Sequence, residues 1–288
     1  MKELKAISTL LFTPGNRPER FEKAKEVGSD GMIIDLEDAI ALPDKDAARA
    51  TVMEYFQYST PSRDFFRCLR INSMKTPAGL KDVSALIDTS LHPDAIMLPK
   101  AESAAEILML DELFKPRSMP YIALIETARG IEHAAEIAAA SPNMVALGFG
   151  GADFAADLGA QLAWEPMLVA RSHIVNAAAI AGIVAWDVPY LNLHDADDRG
   201  LIQETQRVKA LGFTGKFAIH PKQIKAIHQV FTPSPEDITH AQQIVDAYHT
   251  AGGNACQING KMIDVRKYSA NPLPLQKKQH PPEKSGIM

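Results

Sequence analysis

Short apolar runs alternate with longer amphipathic stretches along most of the chain. Runs at residues 8–13, 31–36, 65–71, 95–98, 121–125, 144–149, 183–187 and 216–219 read as strands. Helical spacing fills most of the intervals, with start signals such as Pro18 before Glu19 and Ser103 three residues before Glu106. Nearly continuous apolar strands are expected where helices cover a parallel sheet. Eight such strands with seven or eight helices predict an α/β fold, a (β/α)8 TIM barrel. A doubly wound open sheet is the alternative.

The pattern changes after the eighth strand. Ser234-Pro235-Glu236-Asp237 opens a helix reaching about His249, and Ala251-Gly252-Gly253 breaks it. Residues 255–265 read as a hairpin turning at Asn259-Gly260. The expected organisation is a barrel over residues 1–232, a helix and hairpin extension over 233–268, and a flexible tail over 269–288. A hairpin appended to a finished barrel has no core of its own, so a neighbouring subunit is its expected packing surface.

Composition narrows the function classes. The net charge is −5 and the pI about 6.0, which argues against a nucleic-acid partner. No apolar run reaches the ~18 residues of a membrane span, and residues 1–5 lack a signal-peptide pattern. With two cysteines, Cys68 and Cys256, far apart in sequence, a cytoplasmic protein without a disulfide framework is expected. Neither a Walker loop nor a GxGxxG run is present, so NTP hydrolysis and nicotinamide chemistry lack support.

Barrel active sites lie at the carboxyl ends of the strands, and here those ends are polar. They carry Arg17, Asp35-Leu36-Glu37-Asp38, Arg70-Ile71-Asn72, Lys100, Glu126, Gly150-Gly151-Ala152-Asp153, Asp187 and His220. Glu126 and Asp153 end neighbouring strands. A carboxylate there can cap the next helix, but two of them beside Gly148, Gly150 and Gly151 suit a hard divalent cation such as Mg²⁺. No Cys/His cluster supports zinc. Arg70 either pairs with Asp35, Glu37 or Asp38, or presents its fork to a substrate oxygen; the two are compatible. One of the acids Asp35, Glu37 and Asp38 is expected to hold Arg70 or a metal-bound water. Lys100 reads as a charge balancing these acids, and Arg17 as a candidate for a nucleotide-bearing substrate.

Taken in order, several motifs resemble the citrate lyase β-subunit-like family of the HpcH/HpaI aldolase superfamily. They are Leu10-Leu11-Phe12-Thr13-Pro14-Gly15-Asn16-Arg17-Pro18, Ile33-Ile34-Asp35-Leu36-Glu37-Asp38-Ala39, Leu69-Arg70-Ile71-Asn72 and Ile96-Met97-Leu98-Pro99-Lys100-Ala101-Glu102. Leu124-Ile125-Glu126-Thr127-Ala128-Arg129-Gly130, Gly150-Gly151-Ala152-Asp153, Ile219-His220-Pro221 and Gly260-Lys261-Met262-Ile263-Asp264 complete the set. The resemblance implies an Mg²⁺-dependent carbon–carbon lyase acting on a 3-hydroxyacyl-CoA thioester, near citramalyl-CoA and malyl-CoA lyases. Glu126 and Asp153 would be the metal ligands. Arg70, Glu37, Asp38 and Asp264 would be catalytic. Arg70, Glu126, Arg17, Gly151 and Ala152 would bind substrate. Asp264 would reach a neighbouring subunit's site in a homotrimer or hexamer. The alternatives are a citrate lyase β subunit acting on a citryl carrier protein, or a non-catalytic thioester-binding barrel. Ser8-Thr9 stands where the family often has Arg-Ser, which leaves the exact substrate preference open.

Overall fold

Successive side chains on a strand face opposite ways, and that parity sorts each barrel strand into an inward and an outward set. In the computed structural model, which describes residues 4–88, 93–195, 197–250, 256–258 and 261–263, the chain divides into two units, Met1–Phe231 and Thr232–Met288. The first holds β1 (Thr9–Pro14), β2 (Gly31–Asp35), β3 (Phe66–Arg70), β4 (Ala95–Leu98), β5 (Tyr121–Ile125), β6 (Met144–Phe149), β7 (Val184–Asp187) and β8 (Gly215–Ala218). All are parallel and close in sequence order, with β8 returning to β1 through Leu10 opposite Phe217. The fold is therefore a (β/α)8 barrel; a doubly wound open sheet would have left two edge strands, whereas here each of the eight strands pairs on both sides. Each strand lies within one residue of its predicted bounds at either end.

One buried cluster gathers the inward set: Leu10, Ile33, Cys68, Met97, Leu124, Trp186 and Phe217 among others. The outward set, including Leu11, Ile34, Leu69, Ile96, Ala123, Leu147 and Ala218, packs with the surrounding helices. Parity then fixes which strand ends face the mouth. Asp35 follows Ile33, Arg70 follows Cys68 and Glu126 follows Leu124 at the inward spacing.

The same rule corrects one expectation. Asp187 follows the inward Trp186 and so faces outward, fully buried, away from the mouth. It accepts from Arg171 Nε at 2.8 Å and from Lys216 Nζ at 2.5 Å, and Lys216 also donates to Glu204 at 2.7 Å. Asp187 is thus part of a structural ion cluster tying β7 and β8 to helices Trp164–Ala181 and Arg199–Leu211. Asn72 is likewise structural: its amide and side chain both donate to the buried Asp82. His220 is exposed, and its Nδ1 accepts from the Lys222 amide in the turn after β8.

Two predicted start signals also behave differently from expectation. Pro18 opens a three-residue 3-10 turn, Pro18–Arg20, followed by only a short helix, Phe21–Glu26. Ser103 stands at its helix start but makes no side-chain capping bond.

The Ser8-Thr9 departure lies at the amino-terminal end of β1, opposite the mouth. Ser8 N and Thr9 N donate to Asp30 Oδ2 at 2.8 and 3.1 Å, and Thr9 Oγ1 is 3.1 Å from His228 Nε2. That end of a barrel serves stability, so the departure bears on packing rather than on substrate choice.

In the second unit, helix Pro235–Thr250 starts on reciprocal bonds between Ser234 and Asp237. β9 (Cys256–Ile258) and β10 (Lys261–Ile263) pair antiparallel, Lys261 opposite Ile258. The expected turn residues Asn259 and Gly260, Asp264 and the 269–288 tail lie outside the described residues. Among the described residues no helix is long and apolar enough to cross a membrane.

Candidate active site at the barrel mouth

A guanidinium at the end of a buried strand needs a partner to offset its desolvation, and Asp35 on the adjacent strand supplies it. Arg70 Nε and Nη2 donate to Asp35 Oδ1 and Oδ2 at 2.7 and 2.6 Å, a bidentate pair. Arg70 Nη1 lies 3.0 Å from Glu37 Oε2 and 3.7 Å from Asp38 Oδ2. The guanidinium also sits over the Phe12 ring, 4.8 Å from its centroid. Burial works against the Arg70 charge, but Asp35 and Glu37 more than offset it and raise its pKa. Arg70 is thus paired as one expectation had it, with two of its five N–H groups on Asp35 and further donors remaining on Nη1 and Nη2.

Asp35 itself is locked by the turn that follows it, accepting from the amides of Glu37 at 2.8 Å and Ala39 at 3.1 Å. Lys45, which no motif pointed to, donates to the carbonyls of Leu36 and Glu37 at 2.8 and 2.5 Å and holds the same turn. Glu37 is buried, and burial raises its pKa against the opposing pull of Arg70 and Lys100. Its Oε2 is close to Arg70 yet lacks an aligned hydrogen-bond partner. Asp38 stands at the rim, its side chain half exposed.

Glu126 does not cap the next helix. Thr127 does, accepting from Gly130 N at 3.0 Å. Glu126 instead turns into the mouth, only 3% exposed. Its Oε1 accepts the Lys100 amide at 2.8 Å. Its Oε2 lies against Gly150, where a Cβ would come within 2.3 Å of it. Burial, with the nearby Glu37 charge and a smaller push from Asp153, raises the Glu126 pKa to about 8 despite Arg70.

Asp153 sits in the first turn of helix Gly151–Leu158, after the N-cap Gly150. It is partly exposed, and its carboxylate is 3.5 Å from Lys100 Nζ. Gly151 is buried and Ala152 exposed in that same turn, whose amides point toward the mouth as those of a helix start do. Lys100 Nζ also reaches Glu37 Oε1 at 2.8 Å and Asp38 Oδ1 at 3.8 Å. Arg17 is exposed in the turn that leaves β1.

The arrangement suits a hard cation in specific ways. A buried carboxyl with a raised pKa gains most from a cation, the Gly150 cradle lets the backbone run beside it, and a second carboxylate stands in the first turn of the helix that follows the next strand. Among the described residues no group of three or more His, Cys, Asp or Glu side chains is placed to hold a metal. Glu126 and Asp153 would therefore leave the remaining positions of an octahedral ion to water and substrate oxygens.

Fold and site together define a (β/α)8 barrel enzyme with an acidic mouth opposed by one fixed guanidinium. The chain matches the family described as HpcH/HpaI aldolase/citrate lyase over residues 8–221, and it belongs to that family of aldolases and lyases. It is 34% identical over 270 residues to a citrate lyase subunit beta of Leuconostoc mesenteroides subsp. cremoris, covering 89% of this chain and 88% of the relative. It is 35% identical over 286 residues to an L-malyl-CoA/beta-methylmalyl-CoA lyase of Cereibacter sphaeroides, covering 88% and 89%. Among solved structures, protein CitE of Mycobacterium tuberculosis in complex with magnesium, acetoacetate and coenzyme A superposes with a TM-score of 0.78. The identity there is 34%, with 95% of this chain and 99% of that one covered.

Proposed function

We propose that this chain is an Mg²⁺-dependent lyase that splits a 3-hydroxyacyl-CoA thioester into a 2-oxo acid and an acyl-CoA. The observation that carries the reading is the pair of Glu126, just past β5, and Asp153, in the first turn of the helix after β6, with Arg70 held bidentate on Asp35. The magnesium and coenzyme A bound by the Mycobacterium tuberculosis neighbour support it.

Glu126 and Asp153 are the proposed metal ligands. The metal would supply Lewis acidity at the hydroxyl and carboxylate of the acid fragment. The amides of Gly151 and Ala152 would orient that carboxylate at the helix start. As the hydroxyl loses its proton, its carbon becomes a carbonyl. The carbon–carbon bond breaks, and its electron pair moves onto the thioester as an enolate. The unused Arg70 donors are placed to hold the developing negative charge. Glu37, buried with a raised pKa beside Arg70, and the rim acid Asp38 are candidates to carry the hydroxyl proton. The enolate carbon must then be protonated, a step the resemblance assigns to Asp264 of a neighbouring subunit in a homotrimer or hexamer. Exposed Arg17 would meet a CoA phosphate. Asp264→Asn is expected to lose turnover while Mg²⁺ affinity, measured by titration calorimetry, stays within threefold; wild-type turnover would end the proton role.

Among CoA thioesters, citramalyl-CoA, giving acetyl-CoA and pyruvate, is favoured over malyl-CoA, giving acetyl-CoA and glyoxylate. Leu11 pairs with Ala218, so Phe12 and Ile219 follow on adjacent strands at one level. Ile219 is 39% exposed, an apolar surface suited to a methyl group. A citryl arm would instead bring another carboxylate into a mouth whose two cations already carry acids. Purified protein with Mg²⁺ is expected to form pyruvate from citramalyl-CoA, and EDTA to stop it. If glyoxylate forms faster from malyl-CoA, the substrate choice is wrong. If neither thioester is cleaved while a citryl carrier protein is, the chain acts as a citrate lyase β subunit. If none is cleaved, the non-catalytic thioester-binding reading takes over.

A further inference from the structure

One residue in the mouth touches both proposed metal ligands, through two different groups. Lys100 lies in the turn after β4 with its backbone in the left-handed region, φ +49°. Such a conformation is unfavourable for a residue with a side chain and persists where surrounding contacts over-determine it. The contacts are visible at both ends of the residue. Its amide donates to Glu126 Oε1 at 2.8 Å. Its ammonium lies 3.5 Å from Asp153 Oδ2 and is anchored at 2.8 Å to Glu37 Oε1.

The two ends would act differently on a bound cation. The amide contact engages one Glu126 oxygen and leaves Oε2, beside Gly150, as the oxygen turned to a metal. The ammonium is a positive charge already beside Asp153, so a divalent ion arriving there meets a like charge within a few ångströms. The tether to Glu37 keeps that charge from leaving the mouth. Arg70 does not take over this role, because its hydrogen bonds go to Asp35.

We infer that Lys100 is a positioning residue that sets the strength of metal binding: its amide fixes which Glu126 oxygen is offered, and its ammonium opposes the cation at Asp153. The inference rests on the Mg²⁺ reading above. Lys100 weakens Mg²⁺ binding relative to what the surrounding acids would give without it, and so holds the metal exchangeable.

The test is Mg²⁺ titration calorimetry on the purified full-length chain, with Mg²⁺-dependent melting temperature as a second measure. Lys100→Met removes the charge. Lys100→Gly also removes it, keeps the amide and is at ease at positive φ. Both variants are expected to bind Mg²⁺ at least tenfold more tightly than wild type and to gain a larger melting-temperature increase from the same Mg²⁺ concentration. If both bind Mg²⁺ equally or more weakly, Lys100 only braces the acids and the inference fails. A wild-type chain with no saturable Mg²⁺ binding would instead overturn the metal reading itself, which separates the two failures.

Discussion

Glu126→Gln is expected to abolish Mg²⁺ binding and lyase turnover while leaving the barrel folded. Glutamine keeps the shape and can still accept the Lys100 amide that Glu126 Oε1 holds at 2.8 Å, so packing is retained. What it lacks is the charge. The substitution also reproduces the protonated carboxyl, which ties the result to pH. Burial first, and the Glu37 charge second, lift the Glu126 pKa from its ordinary 4.5 to about 8. Ionising this group in the folded protein therefore costs stability. Its contribution is fully favourable below 4.5 and is lost as pH rises toward 8, on the order of 5 kcal/mol at ~1.4 kcal/mol per pH unit. A divalent cation reverses that cost, because it binds the ionised form. Wild-type Mg²⁺ affinity is accordingly expected to fall roughly tenfold per pH unit below about 8, with a proton released on binding, and to level off above it. Calorimetry in buffers of different ionisation enthalpy would measure that proton. A pH-independent affinity, or a Glu126→Gln variant that binds Mg²⁺ like wild type, removes Glu126 from the metal site.

Gly150→Ala is expected to cost more than a hundredfold in Mg²⁺ affinity and in kcat/KM, although a single methyl is added. The Gly150 backbone has φ −96° and ψ 65°, with the negative φ that alanine adopts, so backbone strain is not the cause. The cause is space. The new Cβ would lie 2.3 Å from Glu126 Oε2 and 2.4 Å from Glu126 Cβ, far inside contact distance, and the carboxylate would have to leave its position. Glu126 Cβ cannot rotate away, so the backbone at this strand end must shift as well: the melting temperature without metal is expected to fall, while far-UV circular dichroism stays near wild type. Wild-type Mg²⁺ affinity in this variant would mean that Glu126 can act from another position.

Much of this was legible in the linear pattern. The eight apolar runs appear as strands within one residue of their predicted ends. The acids, Arg70 and Lys100 lie at strand ends where barrel chemistry is sited. The reading went astray where a strand end is polar for packing reasons. Asp187 and Asn72 sit at strand ends too, yet one faces outward into an ion cluster and the other binds Asp82. Both were separable in principle: Asp187 is one residue out of phase with the inward Trp186. Lys45, which fixes the turn after Asp35, left no such trace, because its partners are backbone carbonyls of no particular sequence. Lys216 gave none either: it lies fully buried inside an apolar strand, and its partners come from the neighbouring strand and the helix just before its own.

The order and spacing of apolar and polar residues were enough to determine the barrel, its polar mouth and Glu126 just past β5, because strand period and chain connectivity are local properties; Asp153, expected at the end of β6, lies instead in the first turn of the helix after it. Contacts between residues far apart in the chain decided the rest. The bidentate grip of Asp35 on Arg70, the burial that lifts Glu126 to about pH 8, and the two-ended hold of Lys100 arise only when the strand ends meet. Charge, desolvation and steric exclusion depend on distance in space, and closing the barrel is what sets those distances.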